Sequence, residues 1–272
     1  MPDRWLMFTK VFRGVETSAM AQAIAGLGFD GADLLIRDGW QVTPAAVAQE
    51  LPRAVARLRQ TGLSVPAATC DLTRADDPHA EAIFAACAAE GIALLRLGYY
   101  GYDPAVGFET GVEQAREDLR GLADVGRRRG VKPMLQLHGG DQLNCSGAMA
   151  LRLLEGIPPD NLGIYTDPGN MVAQQGTEPW AMHLDMVRDY LCFVGVKNAG
   201  WFREDGKWRA RWVGLDRGIV PWDRILTLLR ERNYDGPFSL HSHYEDMTLD
   251  QALAQTREDI AYARACWGEQ QA

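Results

Sequence analysis

Short apolar runs alternate with longer segments of helical periodicity along the whole chain. Most of these runs are apolar at successive positions, which is typical of parallel strands that are covered on both faces. The eight runs that predict strands span residues 5–8, 32–36, 64–69, 93–97, 132–137, 162–166, 192–197 and 237–241.

The segments between the runs place apolar residues at i, i+3 and i+4, the spacing of one helix face. Glycine favours the left-handed conformation that ends a helix, and four segments end on it, at Gly28, Gly62, Gly91 and Gly130. Eight strand and helix pairs within about 250 residues predict one closed (β/α)8 barrel, a TIM barrel. The alternative, an open doubly wound sheet, is disfavoured because no G-x-G-x-x-G turn follows an early strand.

Two irregular segments stand out within this pattern. Residues 167–170, with the sequence DPGN, have the composition of a tight turn directly after the sixth strand. Residues 197–220 follow the seventh strand and predict a functional loop, in which Asp205 and Gly206 form the turn of a small hairpin. No linker divides the chain, so a single domain over residues 1–272 is expected.

Composition and charge narrow the class of protein. The 272 residues carry 36 acids and 28 bases, interspersed, for a formal charge of -8. The chain therefore has no basic surface suited to nucleic acid or an anionic membrane, and neither partner is expected. It has no signal-peptide core and no run of 18 apolar residues, so a cytoplasmic protein is expected. The five cysteines lack a CxxC spacing and predict neither a disulfide framework nor a zinc ribbon.

In a (β/α)8 barrel the active site lies at the carboxyl ends of the strands. Gln136 and His138, and His241 and His243, have the i, i+2 spacing that puts two side chains on one face of a strand. Imidazole and carboxylate groups together suit a divalent ion such as Mn, Mg, Co or Zn. The polar residues at the predicted strand ends are Lys10, Arg37, Asp38, Cys70, Asp71, Arg96, Tyr99, Tyr100, Gln136, His138, Asp167, Asn170, Lys197, Asn198, His241 and His243.

Motifs at these strand ends resemble those of a known family, the xylose-isomerase-like TIM barrels, and in particular its sugar phosphate isomerase/epimerase branch. The resemblance covers nearly the whole chain, and its motifs include LQLHGGD, GIYTDPGNM, VGVKNAGW and YDGPFSLHSHYED. It implies a carbohydrate substrate and one divalent metal, held by Glu, Asp, His and Glu from strands five to eight. In that family the two Glu residues also move a proton beside the sugar carbonyl.

Two of the four family ligands fall on strands five and six. The Asp of strand six is retained as Asp167, with Asn170 at the second polar position of its motif. The Glu of strand five is replaced by Gln136, and His138 follows two residues later. Glutamine does not accept a proton at any relevant pH, so this position cannot supply the family's acid or base.

The other two ligands fall on strands seven and eight, and neither is retained. The His of strand seven is replaced by Gly195, although Lys197 of the same motif remains. The Glu of strand eight is replaced by His241, and His243 follows it. A histidine at position 241 can act as a base near neutral pH. Its partner in proton transfer would be Lys197, His138 or a metal-bound water.

The leading hypothesis is a sugar isomerase or epimerase that transfers a proton next to a carbonyl. The resemblance implies a metal held by Asp167, Gln136 and His241, with His241, His138 and Lys197 as catalytic groups. Two alternatives stay open: a lyase, dehydratase or hydrolase acting on an oxidised sugar, and a non-catalytic or metal-free carbohydrate-binding relative or subunit. A homodimer or homotetramer is also left open. The residues expected to bind the substrate are Arg96, Tyr99, Asn170, His243, Arg217 and Trp201.

Overall fold

Residues 4–173 and 178–269 are described by the structure, a computed structural model. Eight parallel strands form a closed barrel, because β1 pairs with both β2 and the last strand, β10. Each barrel strand lies within one residue of its predicted limits, and the (β/α)8 barrel is confirmed. The ten strands are β1 (Trp5–Phe8), β2 (Gly31–Leu35), β3 (Ser64–Thr69), β4 (Leu94–Arg96), β5 (Lys132–Gln136), β6 (Gly163–Thr166), β7 (Leu191–Val196), β8 (Asn198–Glu204), β9 (Lys207–Val213) and β10 (Phe238–Leu240).

Helices connect the strands and cover the outside of the barrel. Gly28, Gly62, Gly91 and Gly130 all have positive φ, between 68° and 82°, so the predicted helix ends are confirmed. The main apolar core lies between strands and helices and includes Trp5, Phe84 and Trp222. The helices are α1 (Thr17–Gly26), α2 (Val47–Gln60), α3 (Ala80–Ala89), α4 (Phe108–Arg129), α5 (Gly147–Leu153), α6 (Pro168–Ala173), α7 (Trp180–Met186), α8 (Trp222–Glu231) and α9 (Leu249–Trp267).

The DPGN segment differs from its prediction. It begins the short helix α6 at Pro168, where a tight turn was expected. Asp167 Oδ1 accepts a hydrogen bond from the backbone N–H of Asn170 at 2.9 Å, the contact of a helix-capping acid. Proline suits the first helical position because it has no N–H to leave unpaired. Asp167 therefore directly follows strand β6 and caps the first turn of helix α6.

The predicted hairpin after β7 is confirmed. Strands β8 and β9 pair in antiparallel register from Asn198 opposite Val213 to Glu204 opposite Lys207. Asp205 and Gly206 both have positive φ, 49° and 76°, as a two-residue hairpin turn requires. In the part of the chain that the structure describes, no helix is long and apolar enough to cross a membrane.

Candidate active site

The alternation of side chains along the barrel strands decides which residues reach the site. Tyr165 and Phe193 pack together with other buried apolar side chains in a small cluster. Asp167 and Lys197 lie two and four residues further on, so they have the same inward orientation. A cavity of about 240 Å³ opens there, lined by Phe8, Lys10, Arg37, Arg96, Tyr99, Gln136, His138, Asn170, Lys197, Trp212, His241 and His243.

Asp167 is fully buried, and N–H donors satisfy both of its carboxylate oxygens. Its Oδ1 accepts from the backbone of Asn170. Its Oδ2 accepts from Gln136 Nε2 at 2.8 Å and from Asn170 Nδ2 at 3.0 Å. The Lys197 ammonium lies 3.0 Å from the same oxygen. The negative charge of Asp167 is therefore compensated within the protein.

The orientation of the Gln136 amide follows from its other neighbours. Gln136 Oε1 accepts from Arg96 Nε at 2.8 Å and from the Tyr99 hydroxyl at 2.8 Å. A guanidinium can only donate hydrogen bonds, so the amide oxygen must face Arg96 and the amide nitrogen must face Asp167. Arg96 is itself buried and also donates to the carbonyls of Cys70 and Leu97, each at 3.0 Å.

Lys197 combines burial with a charged and an aromatic neighbour. Only 6% of the residue is exposed, and its Nζ lies 4.4 Å from the centre of the Trp212 ring. Burial lowers the pKa of Lys197, while the nearby Asp167 opposes that effect. The position leaves an ammonium group at the wall of the cavity, where it can donate a hydrogen bond to an oxygen of a ligand.

The histidines of the β10 end are packed with aromatic rings. The rings of His241 and Phe8 lie 4.5 Å apart, and those of His241 and His243 lie 5.1 Å apart. His241 Nε2 is 2.6 Å from the Tyr165 hydroxyl, whereas its buried Nδ1 has no hydrogen-bond partner among the described residues. Burial, followed by the positive charge of Lys197, lowers the pKa of both histidines well below the ordinary value of 6.5. Both are therefore neutral at pH 7.

His138 lies at the β5 side of the cavity. Its Nδ1 is 3.0 Å from the Gly139 carbonyl, and its ring lies 4.3 Å from that of Tyr99. Burial lowers the pKa of His138, so it is also a neutral imidazole near pH 7. The cavity thus has neutral bases on two sides, at the ends of β5 and β10.

A buried carboxylate that sequence reasoning did not single out lies on β2. Asp33 is 1% exposed and accepts hydrogen bonds from the hydroxyls of Thr69 and Ser239, each at 2.9 Å. Burial raises the pKa of Asp33 to about 6, although the two hydroxyls oppose the shift. The only signal in the sequence is one acid inside the otherwise apolar run GADLL.

Most of the predicted site residues meet at the cavity, but two do not. The Trp201 indole donates to the carbonyl of Val172 at 3.3 Å, away from the cavity lining. Arg217 is exposed and pairs with Asp216 and Glu258, at 3.6 and 3.4 Å. Both residues belong to the segment after β7: Trp201 lies on β8 of the hairpin, and Arg217 follows β9.

The cavity lining also includes residues that were not among the predicted catalytic, metal or substrate-binding residues. Trp212 comes from β9 and returns over Lys197, a position that depends on the hairpin register. Phe8 is the last residue of β1 and packs against His241. Lys10 and Arg37 follow β1 and β2, and the rule that sites lie at strand ends was the signal available for them.

The side chains do not fit the divalent ion that the family resemblance implies. Asp167 and Gln136 face each other as acceptor and donor, so they do not direct two oxygens at one ion. A Cβ atom at Gly195 would lie 2.9 Å from Tyr165 Cε2 and 3.0 Å from Asp167 Oδ2, which leaves no room for a histidine there. Across residues 4–173 and 178–269, no group of three or more His, Cys, Asp or Glu side chains could hold a metal ion.

The chain belongs to the xylose isomerase-like TIM barrel family, whose model matches residues 21–266. No curated protein sequence matches it. The family model therefore assigns the family and the fold, whereas no reaction is assigned by sequence.

Solved structures with this fold are similar over nearly the whole chain. A xylose isomerase-like TIM barrel protein from Mycobacterium smegmatis in complex with magnesium shares 18% identity, with a TM-score of 0.73 over 96% of this chain and 97% of that one. D-Psicose 3-epimerase from Clostridium cellulolyticum H10 shares 12%, with a TM-score of 0.73 over 97% and 99%. The probable 3-DHS dehydratase AsbF from Bacillus anthracis shares 16%, with a TM-score of 0.74 over 93% and 97%. Identities this low show the fold alone.

Proposed function

We propose that the chain is an enzyme that transfers a proton at a carbon next to the carbonyl of a small carbohydrate, as an isomerase or epimerase does. The observation that carries the proposal is the unpartnered Nδ1 of His241, a neutral imidazole beside Lys197 at the carboxyl end of the barrel. When Nε2 carries the ring proton and donates it to Tyr165, Nδ1 is a base next to a positive charge, which suits enolisation because the charge stabilises the oxyanion that forms.

The roles divide between the strand ends. Lys197 donates to the carbonyl oxygen of the substrate, and Asp167 holds its ammonium in place. His241 accepts the proton from the neighbouring carbon through Nδ1. His138, which lies three strands away around the barrel, returns a proton from the other side. Bases on two sides of a cavity favour an epimerase or isomerase over a one-base lyase.

No step of this proposal passes through a metal ion. The metal ion that the family resemblance implies would polarise the carbonyl of the substrate. Here Lys197, held in place by Asp167, polarises that carbonyl instead. We expect prolonged treatment with EDTA, or addition of Mn²⁺ or Mg²⁺, to leave the rate of proton exchange unchanged. A stoichiometric metal that is required for exchange would contradict this part of the proposal.

A second candidate function is binding of a carbohydrate without chemistry. It is favoured by the replacement of both family Glu positions, by Gln136 and His241. The aromatic rings of Tyr99 and Trp212 in the cavity lining are suited to packing against a sugar face. This candidate predicts a ligand that binds but never exchanges a proton.

Proton exchange with solvent separates the two candidates. The protein is incubated in D₂O with a panel of ketoses and of their acid and phosphate derivatives, and deuterium at the carbon beside the carbonyl is followed by NMR. We expect exchange with at least one compound, and His241→Gln should lower its rate by about 10² to 10⁴-fold. His79→Gln, at the start of α3, serves as the matched control and should not change it. A compound that binds to the cavity without any exchange would support the binding candidate and overturn ours.

A further inference from the structure

The cavity concentrates positive charge in a protein that is negative as a whole. Four cationic side chains line it, Lys10, Arg37, Arg96 and Lys197. The formal charge of the complete chain is -8. Like charges held together at a partly buried site repel one another, and such an arrangement is typical of a site that binds the opposite charge.

The carboxylates near the cavity do not balance these four cations. Lys197 is paired with Asp167, and Arg37 forms a double contact with Asp71. Arg96 lies 3.9 Å from the same Asp71 carboxylate. The four cations therefore share two acids, and Asp71 is already held by Arg37.

Lys10 is the cation left without a counter-ion. Lys10 is exposed at the mouth of the cavity that it lines, and its ammonium makes no hydrogen bond or ion pair with any residue in the described ranges. Partial burial lowers the pKa of Lys10, the charges of Arg37, Lys197 and Arg96 lower it further, and the charge of Asp71 opposes the shift. A bound anion would reverse this repulsion and pair with the free ammonium.

The order of the charged groups around the mouth of the barrel indicates where an anion would bind. Arg37 and Lys10 follow the neighbouring strands β2 and β1, and His241 ends the next strand, β10. Lys197 follows β7 on the far side of β10. The proton-accepting imidazole therefore lies between a cation pair on one side and a carbonyl-binding lysine on the other.

From this arrangement we infer that the substrate is an anionic carbohydrate, whose carboxylate or phosphate group binds between Lys10 and Arg37. This inference rests on the proposed function and adds the substrate class to it. With the anion at β1 and β2 and the carbonyl at Lys197, the intervening carbons of the substrate pass in front of His241 and His243. The anionic group then fixes which carbon faces the base.

Calorimetric titration tests the anion site without any need for turnover. Inorganic phosphate, D-gluconate and neutral D-glucitol are titrated at constant ionic strength into wild type, Lys10→Met and Lys207→Met. Lys207 is an exposed lysine beside the hairpin turn and is the matched charge control. We expect at least one anion to bind, D-glucitol not to bind, and Lys10→Met to weaken the anion about tenfold, as loss of one charge-assisted contact predicts. The stronger of the two anions indicates whether the group is a phosphate or a carboxylate.

Two results would overturn the inference. One is that neither anion binds more tightly than chloride at the same ionic strength. The other is that Lys10→Met and Lys10→Glu bind the anion as well as Lys207→Met does. The proposed function fails on a different result. Proton exchange with neutral sugars alone would contradict the anion site and support the enzyme. Lys10-dependent anion binding without exchange on any anionic sugar would support the anion site and contradict the enzyme.

Discussion

Asp167 after strand β6 and His241 after strand β10 differ in how fully their polar atoms are paired, although Asn170 near Asp167 also has a buried Oδ1 without a partner among the described residues. At the β6 end, Asp167 accepts hydrogen bonds from four N–H donors, and both of its carboxylate oxygens are paired. At the β10 end, His241 has one partner, Tyr165, and a buried nitrogen with none among the described residues. Buried polar atoms are usually paired, so an unpaired one at a cavity points to a ligand or a reaction.

Asp167 is therefore suited to holding the structure of the site, and His241 is suited to contact with a ligand. Asp167 is the one family ligand that is kept in kind, and it is the most completely satisfied polar group of the site. Its contacts fix Lys197, Gln136 and the start of α6. The base that we propose, His241, instead stands at a position where the residue implied by the family resemblance has changed. A retained motif can therefore mark where a site lies while the reacting groups move to another strand.

The largest expected effect comes from removal of Asp167. Asp167→Ala leaves the buried Lys197 ammonium without its partner, which costs about 3 to 5 kcal/mol of stability. Urea unfolding followed by circular dichroism measures the loss. The double variant Asp167→Asn/Lys197→Met should recover much of it, because no uncompensated charge remains. If the double variant lost as much stability as Asp167→Asn and Lys197→Met lose together, the two side chains would not act as a pair.

The next effect concerns pH and the buried Asp33 of β2, which accepts a hydrogen bond from Ser239 of β10. Because burial raises its pKa in the folded state to about 6, above the ordinary 3.8, the protonated form favours folding. The stabilisation is complete below about pH 4 and is lost as the pH rises through 6, by roughly 3 kcal/mol. Arg96 is the charged group that opposes the shift. Urea unfolding of wild type and Asp33→Asn between pH 4 and 7 should show this difference, and a constant difference would contradict it.

A smaller effect is expected where Gly195 replaces the family histidine. In Gly195→Ala the new Cβ would meet the Tyr165 ring at 2.9 Å and Asp167 Oδ2 at 3.0 Å. Overpacking of this kind costs about 1 to 3 kcal/mol and should also shift Asp167 away from Lys197. Thermal unfolding measures the cost. Gly26→Ala is the matched control, because a Cβ at Gly26 in α1 meets nothing within 4 Å. Equal stability of the two variants would show that the strand end has room for a side chain.

The smallest effect is expected at Arg217, which the sequence suggested as a substrate contact. Its guanidinium lies on the surface and pairs only with the exposed acids Asp216 and Glu258 among the described residues. Arg217→Ala should leave both anion binding and proton exchange unchanged. A clear loss of either would show that the segment after β9 contacts the ligand, and would contradict the position of Arg217 outside the cavity.

The fold could be predicted from the sequence because its signals are local. Successive apolar residues, helix-ending glycines and the Asp205-Gly206 turn each specify structure over a few residues. The DPGN segment was ambiguous because the same residues suit a tight turn and a helix start. There the tertiary contacts of Asp167 with Gln136 and of Asn170 with Leu137 favour the helix.

The site could be predicted only in part, for a physical reason. Strand ends meet at the mouth of a barrel, so Gln136, His138 and His241 could be grouped from their positions alone. The direction of the hydrogen bond from Gln136 to Asp167 depends on Arg96, which is distant in sequence. The position of Trp212 depends on the register of a hairpin. Neither the position of Arg217 away from the cavity nor the poor fit to a metal could be seen without these contacts.

The β8–β9 hairpin has a consequence for how this barrel can change over evolution. Its base is anchored by the buried Asn198, whose amide donates to the carbonyls of Leu215 and Val220, while its tip at Asp205 and Gly206 is exposed. Because side chains alternate along a strand, insertion of one residue between tip and base would turn Trp212 to the opposite face and uncover Lys197. Insertions of residue pairs at the tip would keep it in place. Descendants of this chain can therefore lengthen the hairpin in steps of two, and acquire new surface there, without altering the cavity that Trp212 and Lys197 line.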